Sequence, residues 1–253
     1  MGIYALTGGA TGIGAAIKSN LIARGHRVIV VDLKDADITA DLSTAAGRTI
    51  AVDGIKGLAP EGLDGLITSA GVGSHIPNHR LIASVNYFGT VNLTEQLADL
   101  VALKNGAIVL LSSNSAPMAT SNDYVDLLLS GNEDAALEES EKITGHEAYS
   151  GSKQAIARWM RRMAPAFARR GITINALAPG YIETPMTKVV SEDPKYGDSI
   201  KRFKESIPAG RAGKPEDIAD FVDFLLNPKS RFICGSVLFI DGGHDAMLRA
   251  DQF

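Results

Sequence analysis

The sequence predicts an α/β fold, a doubly wound parallel sheet with helices on both faces. Short β-branched runs alternate with longer segments whose apolar residues recur at helical spacing, the pattern of strand, crossover helix and next strand. The first run, Ile3 to Thr7, opens directly into a glycine-rich turn, Gly8-Gly9-Ala10-Thr11-Gly12-Ile13-Gly14, and an amphipathic segment follows. At 253 residues, with 45% hydrophobic content and 26 glycines, the chain can bury one large core, and no linker-like stretch divides it. Residues 1–253 therefore read as a single domain.

Lys and Arg number 25 against 29 Asp and Glu, a formal charge of -4. The basic residues gather only at Arg158, Arg161, Arg162, Arg169 and Arg170, which at helical spacing make a solvated face. No nucleic-acid partner is expected. The single cysteine, Cys234, excludes an internal disulfide and a cysteine-based metal cluster, and the five histidines show no metal-ligand spacing. No metal is expected. The first residues, Met1-Gly2-Ile3-Tyr4-Ala5-Leu6-Thr7, lack the charged start and cleavage site of a leader, and no apolar run reaches the roughly 18 residues of a membrane span. The expectation is a cytoplasmic protein without a membrane partner.

Taken in order, the glycines of the first turn let backbone N–H groups approach a pyrophosphate closely. The positive end of the next helix (Ile17, Leu21 and Ile22, closed by Gly25) favours that charge. A second β-branched run, Val28 to Val31, ends in Asp32, eighteen positions past Gly14. A carboxylate there can accept hydrogen bonds from adenosine ribose hydroxyls and repels a 2′-phosphate, which argues for NAD over NADP. Asp37 to Leu42 reads as a third strand, too close behind the second for an ordinary crossover helix. Asp41 and Leu42 would end it at the sheet's carboxyl edge, offering an adenine a polar contact and an apolar wall. Ser43 is expected to cap a helix from Thr44 to about Leu58, and Leu63 to Ser69 forms the next strand, running into Ala70-Gly71. A long helix from about Ile82 to Leu103 carries Asn86, and Ala107 to Ser113 is a buried strand ending in hydroxyls. The last two strands are read at Ile172 to Ala178 and Ser236 to Ile240, with a helix opened by Pro215-Glu216-Asp217 between them.

Between the fifth and sixth strands lies Tyr149-Ser150-Gly151-Ser152-Lys153, followed by Ala155, Ile156, Trp159, Met163 and Phe167 at helical spacing. On a helix, Tyr149 and Lys153 stand at i and i+4 and project from one face. Making a phenolate available near neutral pH means moving its pKa from ~10 by about three units, about 4 kcal/mol, and a fixed ammonium one turn away is a direct way to do so. Any surface helix can present such a pair, so its meaning rests on the other motifs.

Thr7, Gly8, Gly12 and Gly14, then Asn86, Ser113, Tyr149 and Lys153, resemble in kind and order the motif set of the short-chain dehydrogenase/reductase family. Pro179-Gly180, Thr184-Pro185 and Asp241-Gly242-Gly243 match as well, so the resemblance covers essentially the whole chain. It implies a Rossmann-type sheet in the order 3-2-1-4-5-6-7 and an NAD-dependent enzyme. By the same resemblance Tyr149 is the general acid/base, Ser113 hydrogen-bonds the substrate oxygen, and Lys153 lowers the tyrosine pKa while binding the nicotinamide ribose. Asn86 is implied to hold a water in the proton relay, and Ile182 and Thr184 to contact the nicotinamide carboxamide. Thr11, Ile13, Leu33, Ala70, Gly71, Pro179 and Gly180 complete the implied cofactor site. The chemistry has its own logic: a hydride leaves or reaches a carbon while a proton leaves or reaches its oxygen, so an acid/base group must stand beside a fixed hydride carrier.

Two features depart from the family pattern. Ser69-Ala70-Gly71 stands where the family has Asn-Ala-Gly. Ser113 and Tyr149 lie 36 positions apart, where the family's loop takes about a dozen. The insert, residues 114–146, holds two short acidic amphipathic helices, Asp123 to Leu129 and Glu133 to Glu138. It would lie across helix faces through which many family members form tetramers. That insert, the short connection after Asp32 and the phrases Asp41 to Ala45, Ser84 to Gly89 and Asp241 to Met247 resemble the bacterial 3α-hydroxysteroid dehydrogenase/carbonyl reductase subgroup. In that subgroup the insert takes part in dimerisation, so a homodimer is implied. Tyr181 to Gly210, carrying Met186, Val189, Val190, Tyr196, Ile200, Phe203 and Ile207, fits a lid over a small hydrophobic alcohol or ketone. The expected reaction interconverts a secondary alcohol and a ketone, a 3α-hydroxysteroid or another bulky carbonyl compound. A coniferyl-type aromatic alcohol is the alternative substrate, and a nicotinamide-binding sensor or scaffold without turnover is the alternative class.

Overall fold

Seven parallel strands form one sheet in the expected order 3-2-1-4-5-6-7 in a computed structural model that describes residues 1–192 and 197–252. They are β1 (Ile3–Thr7), β2 (Arg27–Asp32), β3 (Ile38–Thr39), β4 (Gly65–Thr68), β5 (Ala107–Leu111), β6 (Thr173–Pro179) and β7 (Val237–Ile240). The helices in chain order are α1 (Gly12–Ala23), α2 (Ala45–Leu58), α3 (His79–Leu81), α4 (Thr90–Ala102), α5 (Asn122–Ser130), α6 (Glu133–Ser140), α7 (Gly145–Arg169), α8 (Pro185–Ser191), α9 (Gly197–Glu205), α10 (Pro215–Leu226) and α11 (His244–Leu248).

Strands β4, β5 and β6 are buried throughout and largely apolar because helices cover both faces of the sheet. On one face α1 and α10 pack together over Leu6, Ile67 and Val109; on the other α2, α4 and α7 close over Ile29, Leu66 and Ile108. The chain leaves β1 for β2 on one side and returns to β4 on the other, so a crevice opens beyond the carboxyl ends of β1 and β4. The functional site lies there.

Several expectations shift on inspection. The third strand is two residues long, not Asp37 to Leu42, because the aspartates at its ends spend their carboxylates on turns. Asp37 accepts from the Val30 N–H (2.8 Å), and Asp41 turns the chain by accepting from the Ser43 N–H (2.9 Å). Asp41 and Leu42 therefore follow the strand instead of ending it. The crossover helix is indeed absent between β2 and β3. Thr44, not Ser43, caps α2, accepting from the Gly47 N–H. The rod expected from Ile82 begins at His79 and ends at Ala102, and its section Ile82–Gly89 is wound as a π-helix that buries Asn86. Strands β4 and β5 are shorter than expected, ending at Thr68 and Leu111, while β6 extends through Pro179.

Helix α7 starts four residues before Tyr149 because Thr144 and Glu147 make a reciprocal capping box. In the insert, α5 lays Tyr124, Val125 and Leu128 against α7, and Gly151 is required at the crossing, since a Cβ there would stand 2.7 Å from the Tyr124 ring. Helix α6 is tied to α2 by a two-pronged ion pair between Glu133 and the buried Arg48, at 2.9 and 2.7 Å. Among the described residues no helix is long and apolar enough to cross a membrane.

Candidate active site

At the glycine turn the backbone itself is the binding surface. Gly8 turns at φ 75°, and a side chain there would meet the Ala70 backbone at 2.6 Å; one at Gly14 would run into the Gly8 carbonyl oxygen. Only bare backbone fits. Helix α1 begins at Gly12 with no side-chain cap and no acid in its first turn, so its leading N–H groups and dipole face the cleft unopposed. Asp32 is held at the lip of this turn, accepting from the N–H groups of Ala10 (2.9 Å) and Leu33 (2.7 Å). Leu33 is exposed beside it, while Leu42 is buried and forms a wall. The cradle suits a dinucleotide: close backbone for a pyrophosphate, a fixed carboxylate with lone pairs to spare for ribose hydroxyls.

Across the cleft, β4 hands over to Ala70 and Gly71, and the Ala70 N–H donates to the Thr7 hydroxyl at 3.1 Å, locking the two strand ends together. A Cβ at Gly71 would stand 3.1 Å from the Asn86 amide oxygen. Asn86 is spent on structure: its oxygen accepts from the Val72 N–H (2.8 Å) and its nitrogen donates to the Val72 carbonyl (3.1 Å). These two bonds anchor the loop after β4 to the π-helical segment.

The third group stands on α7 and the end of β5. Ser112 donates to the Lys153 carbonyl at 2.8 Å and the Lys153 ammonium donates to the Leu111 carbonyl at 2.8 Å, so helix and strand end are stitched together. Lys153 lies 5.7 Å from the centre of the Tyr149 ring, as the i, i+4 spacing requires. Burial pulls the Lys153 pKa down to about 8. Burial pushes the Tyr149 phenol upward, and the Ser113 hydroxyl pulls against it. Desolvation disfavours the charged form of both groups, so it acts against the phenolate and against the ammonium alike.

At the end of β6, Pro179 and Gly180 line the cleft. Ile182 is buried and bridged to Gly213, and Thr184 caps α8, exchanging hydrogen bonds with Thr187. Gly8, Thr11, Gly12, Ile13, Gly14, Asp32, Leu33, Asp41, Leu42, Ala70, Gly71, Ser113, Tyr149, Lys153, Pro179, Gly180, Ile182 and Thr184 all line one cavity of about 310 Å³. Asn86 stands behind it.

Known proteins share this arrangement. A family model described as short chain dehydrogenase matches residues 3–125, and one described as Enoyl-(Acyl carrier protein) reductase matches residues 135–245. A 3-alpha-hydroxysteroid dehydrogenase/carbonyl reductase from Comamonas testosteroni is 38% identical over the full length of both chains. The chain belongs to the short-chain dehydrogenase family. It is an oxidoreductase. The crystal structure of the 3-alpha-hydroxysteroid dehydrogenase from Pseudomonas sp. B-0831 complexed with NADH superposes with a TM-score of 0.95 at 43% identity, covering 99% of this chain and 100% of that one. Galactitol 2-dehydrogenase from Cereibacter sphaeroides is 28% identical, over 95% of this chain and 93% of its own.

Met186 lines the cavity as expected of the lid, while Val72, Val85, Ser112 and Thr187 are lining residues of this dehydrogenase that the motifs do not name. Thr187 was legible, since Thr184-Pro185-Met186-Thr187 has the spacing of a helix cap. Val85 was not, because a π-helix shifts which positions face inward. Of the lid, α8 and α9 are helical and in mutual contact, and Phe203 packs edge-on against His244 at 4.7 Å. Tyr196 lies outside the described residues.

Proposed function

We propose that this short-chain dehydrogenase uses NAD(H) to interconvert a secondary alcohol and a ketone, with a 3α-hydroxysteroid or a similarly bulky carbonyl compound as substrate. One observation carries the reading: Ser113, Tyr149 and Lys153 meet in the same cavity as the glycine turn and Asp32. NAD, when bound, supplies the hydride acceptor or donor. The protein's residues do the rest. In alcohol oxidation the carbinol oxygen gives its proton to the Tyr149 oxygen while its C–H bond breaks; in reduction the Tyr149 O–H returns the proton to the new alkoxide oxygen. Ser113 holds the reacting oxygen, and Lys153 places a positive charge beside the phenolic one. Asp32 selects NAD by meeting ribose hydroxyls and repelling a 2′-phosphate. The Comamonas and Pseudomonas relatives, with the apolar lid residues Met186 and Val189, support a bulky hydrophobic substrate.

The test is Tyr149→Phe with two substrate panels, steroid alcohols and aromatic primary alcohols, followed through NADH absorbance. Turnover should vanish, a loss of at least 10³-fold, with NAD affinity nearly unchanged. Retained turnover removes Tyr149 from its role. Wild-type preference for coniferyl-type alcohols replaces the steroid reading. No turnover on any carbonyl or alcohol with intact NAD binding favours the sensor.

A homodimer in the cytoplasm belongs to the same reading. The edge strand β7 leaves Val237, Leu238, Phe239 and Ile240 only partly covered, and Phe232, just before it, is fully exposed. A second copy would cover this edge, so the dimer face proposed is β7 and not the insert that the resemblance implied.

A further inference from the structure

A serine hydroxyl carries one hydrogen to donate and two lone pairs that accept. The Ser113 Oγ accepts from both polar groups of Ser115, the main-chain N–H at 3.1 Å and the hydroxyl at 3.0 Å. Its two acceptor sites are thereby filled. What Ser113 has left is its own hydrogen.

The turn that creates this is firmly held. Ser112 is bonded through its hydroxyl to the Lys153 carbonyl, the Asn114 N–H to the Pro179 carbonyl at 3.0 Å, and the Ala116 N–H to the Ser113 carbonyl at 3.0 Å. Ser115 begins the short turn Ala116–Met118 but makes no side-chain cap there, so its hydroxyl is not spent on the helix end. It is spent on Ser113.

We propose that Ser115 is a positioning residue that occupies the acceptor side of Ser113 and makes it an obligate hydrogen-bond donor toward the reacting oxygen. The inference rests on the proposed function, in which Ser113 and Tyr149 flank that oxygen. A donor that cannot turn round stabilises negative charge, on an alkoxide or on the phenolate, and hydrogen-bonded hydroxyls in series polarise one another. Without Ser115 Oγ, one lone pair of Ser113 is released. Ser113 can then accept from the Tyr149 O–H and hold the tyrosine in its protonated form, the wrong state for taking a proton from an alcohol. Ser113 already draws the Tyr149 phenol down against burial, and a hydroxyl donating to Ser113 polarises it further in that direction.

Four variants test this: Ser113→Ala, Ser115→Ala, Ser115→Thr and Ser115→Val, the last two matched in shape and differing in the hydroxyl. The substrate is whichever panel alcohol the wild-type enzyme oxidises fastest, with NAD. Melting temperature checks folding, and kcat, KM and the pH profile of kcat/KM are read. The titratable groups around the pair are Lys153 on α7 and His244 on α11, which meets Asn114 at 3.4 Å; all four variants leave both in place. Ser115→Ala and Ser115→Val should lose about tenfold in kcat, with KM for NAD unchanged. The acid limb of alcohol oxidation should move to higher pH, because a Ser113 free to accept from the Tyr149 O–H stabilises the neutral phenol and raises the pKa of the group that must be ionised. Ser115→Thr should recover to within about threefold of wild type. Ser115→Val and Ser115→Thr behaving alike, or Ser115→Ala with wild-type kcat and acid limb beside an inactive Ser113→Ala, overturns the role of Ser115 and leaves the proposed function standing. An active Ser113→Ala enzyme overturns the proposed function instead.

Discussion

The carboxylate of Asp32 accepts one N–H from Ala10 and one from Leu33, so about half of its lone-pair sites are taken by the turn that it borders. Asp32 lines the cavity, and on the proposed function its remaining lone pairs meet ribose hydroxyls and repel a second phosphate. Asp32→Asn keeps an acceptor of the same shape and removes the charge. It should raise KM for NAD and lower KM for NADP, moving their ratio by roughly tenfold, about 1.4 kcal/mol. Steady-state kinetics with both cofactors checks this; an unmoved ratio would detach selectivity from Asp32. The residue identities at this scale were largely legible, because each motif is short and contiguous. The phenol was legible in place and not in energy: spacing shows that Lys153 lies beside Tyr149, while burial of both, which sets their pKa directions, is a sum over neighbours distant in the chain.

Helix α6 is attached to the rest of the molecule through Glu133, whose carboxylate grips the Arg48 guanidinium of α2 with two hydrogen bonds. Arg48 is buried, and its Nε already lacks a partner. Removing the acid leaves a cation with no compensation. Glu133 keeps partial contact with solvent, so Glu133→Gln should cost about 2 kcal/mol, less than a fully buried pair, and lower Tm by ~5 °C. The double variant Arg48→Met with Glu133→Leu should recover most of that loss, since an apolar pair needs no partner charge. Thermal unfolding of single and double variants decides it, and a double variant no better than Glu133→Gln would refute the ion-pair account. The two insert helices themselves were legible from their amphipathic spacing. Their attachment was not, because Arg48 and Glu133 lie far apart in sequence. The π-winding of Ile82–Gly89 likewise escaped, since no local periodicity announces an extra residue per turn.

At the scale of the whole molecule, the insert already covers the α7 face with Tyr124, Val125 and Leu128, while the β7 edge keeps its apolar side chains partly exposed. A dimer built on that edge should sediment as such at micromolar concentration. Phe232→Asp should shift it toward monomer, with the fold and the melting curve of the monomer otherwise preserved. A stable tetramer, or a dimer indifferent to Phe232→Asp, would count against this face. The strand order was legible from the order of the motifs, and the sheet followed it strand for strand.

By itself the sequence determined what neighbouring residues decide: a glycine turn that leaves no room for side chains, a carboxylate at the end of β2, a phenol and an ammonium one helical turn apart, and the absence of a crossover helix before β3. Only the tertiary structure decided what distant residues impose on one another. It ended β3 at Thr39, gave the Asn86 amide to Val72, filled the lone pairs of Ser113 from Ser115, and set burial against the Ser113 hydroxyl at the Tyr149 phenol. The reason is physical: spacing along a chain governs which side chains share a face, whereas desolvation and the direction of a hydrogen bond depend on every group that folding brings alongside.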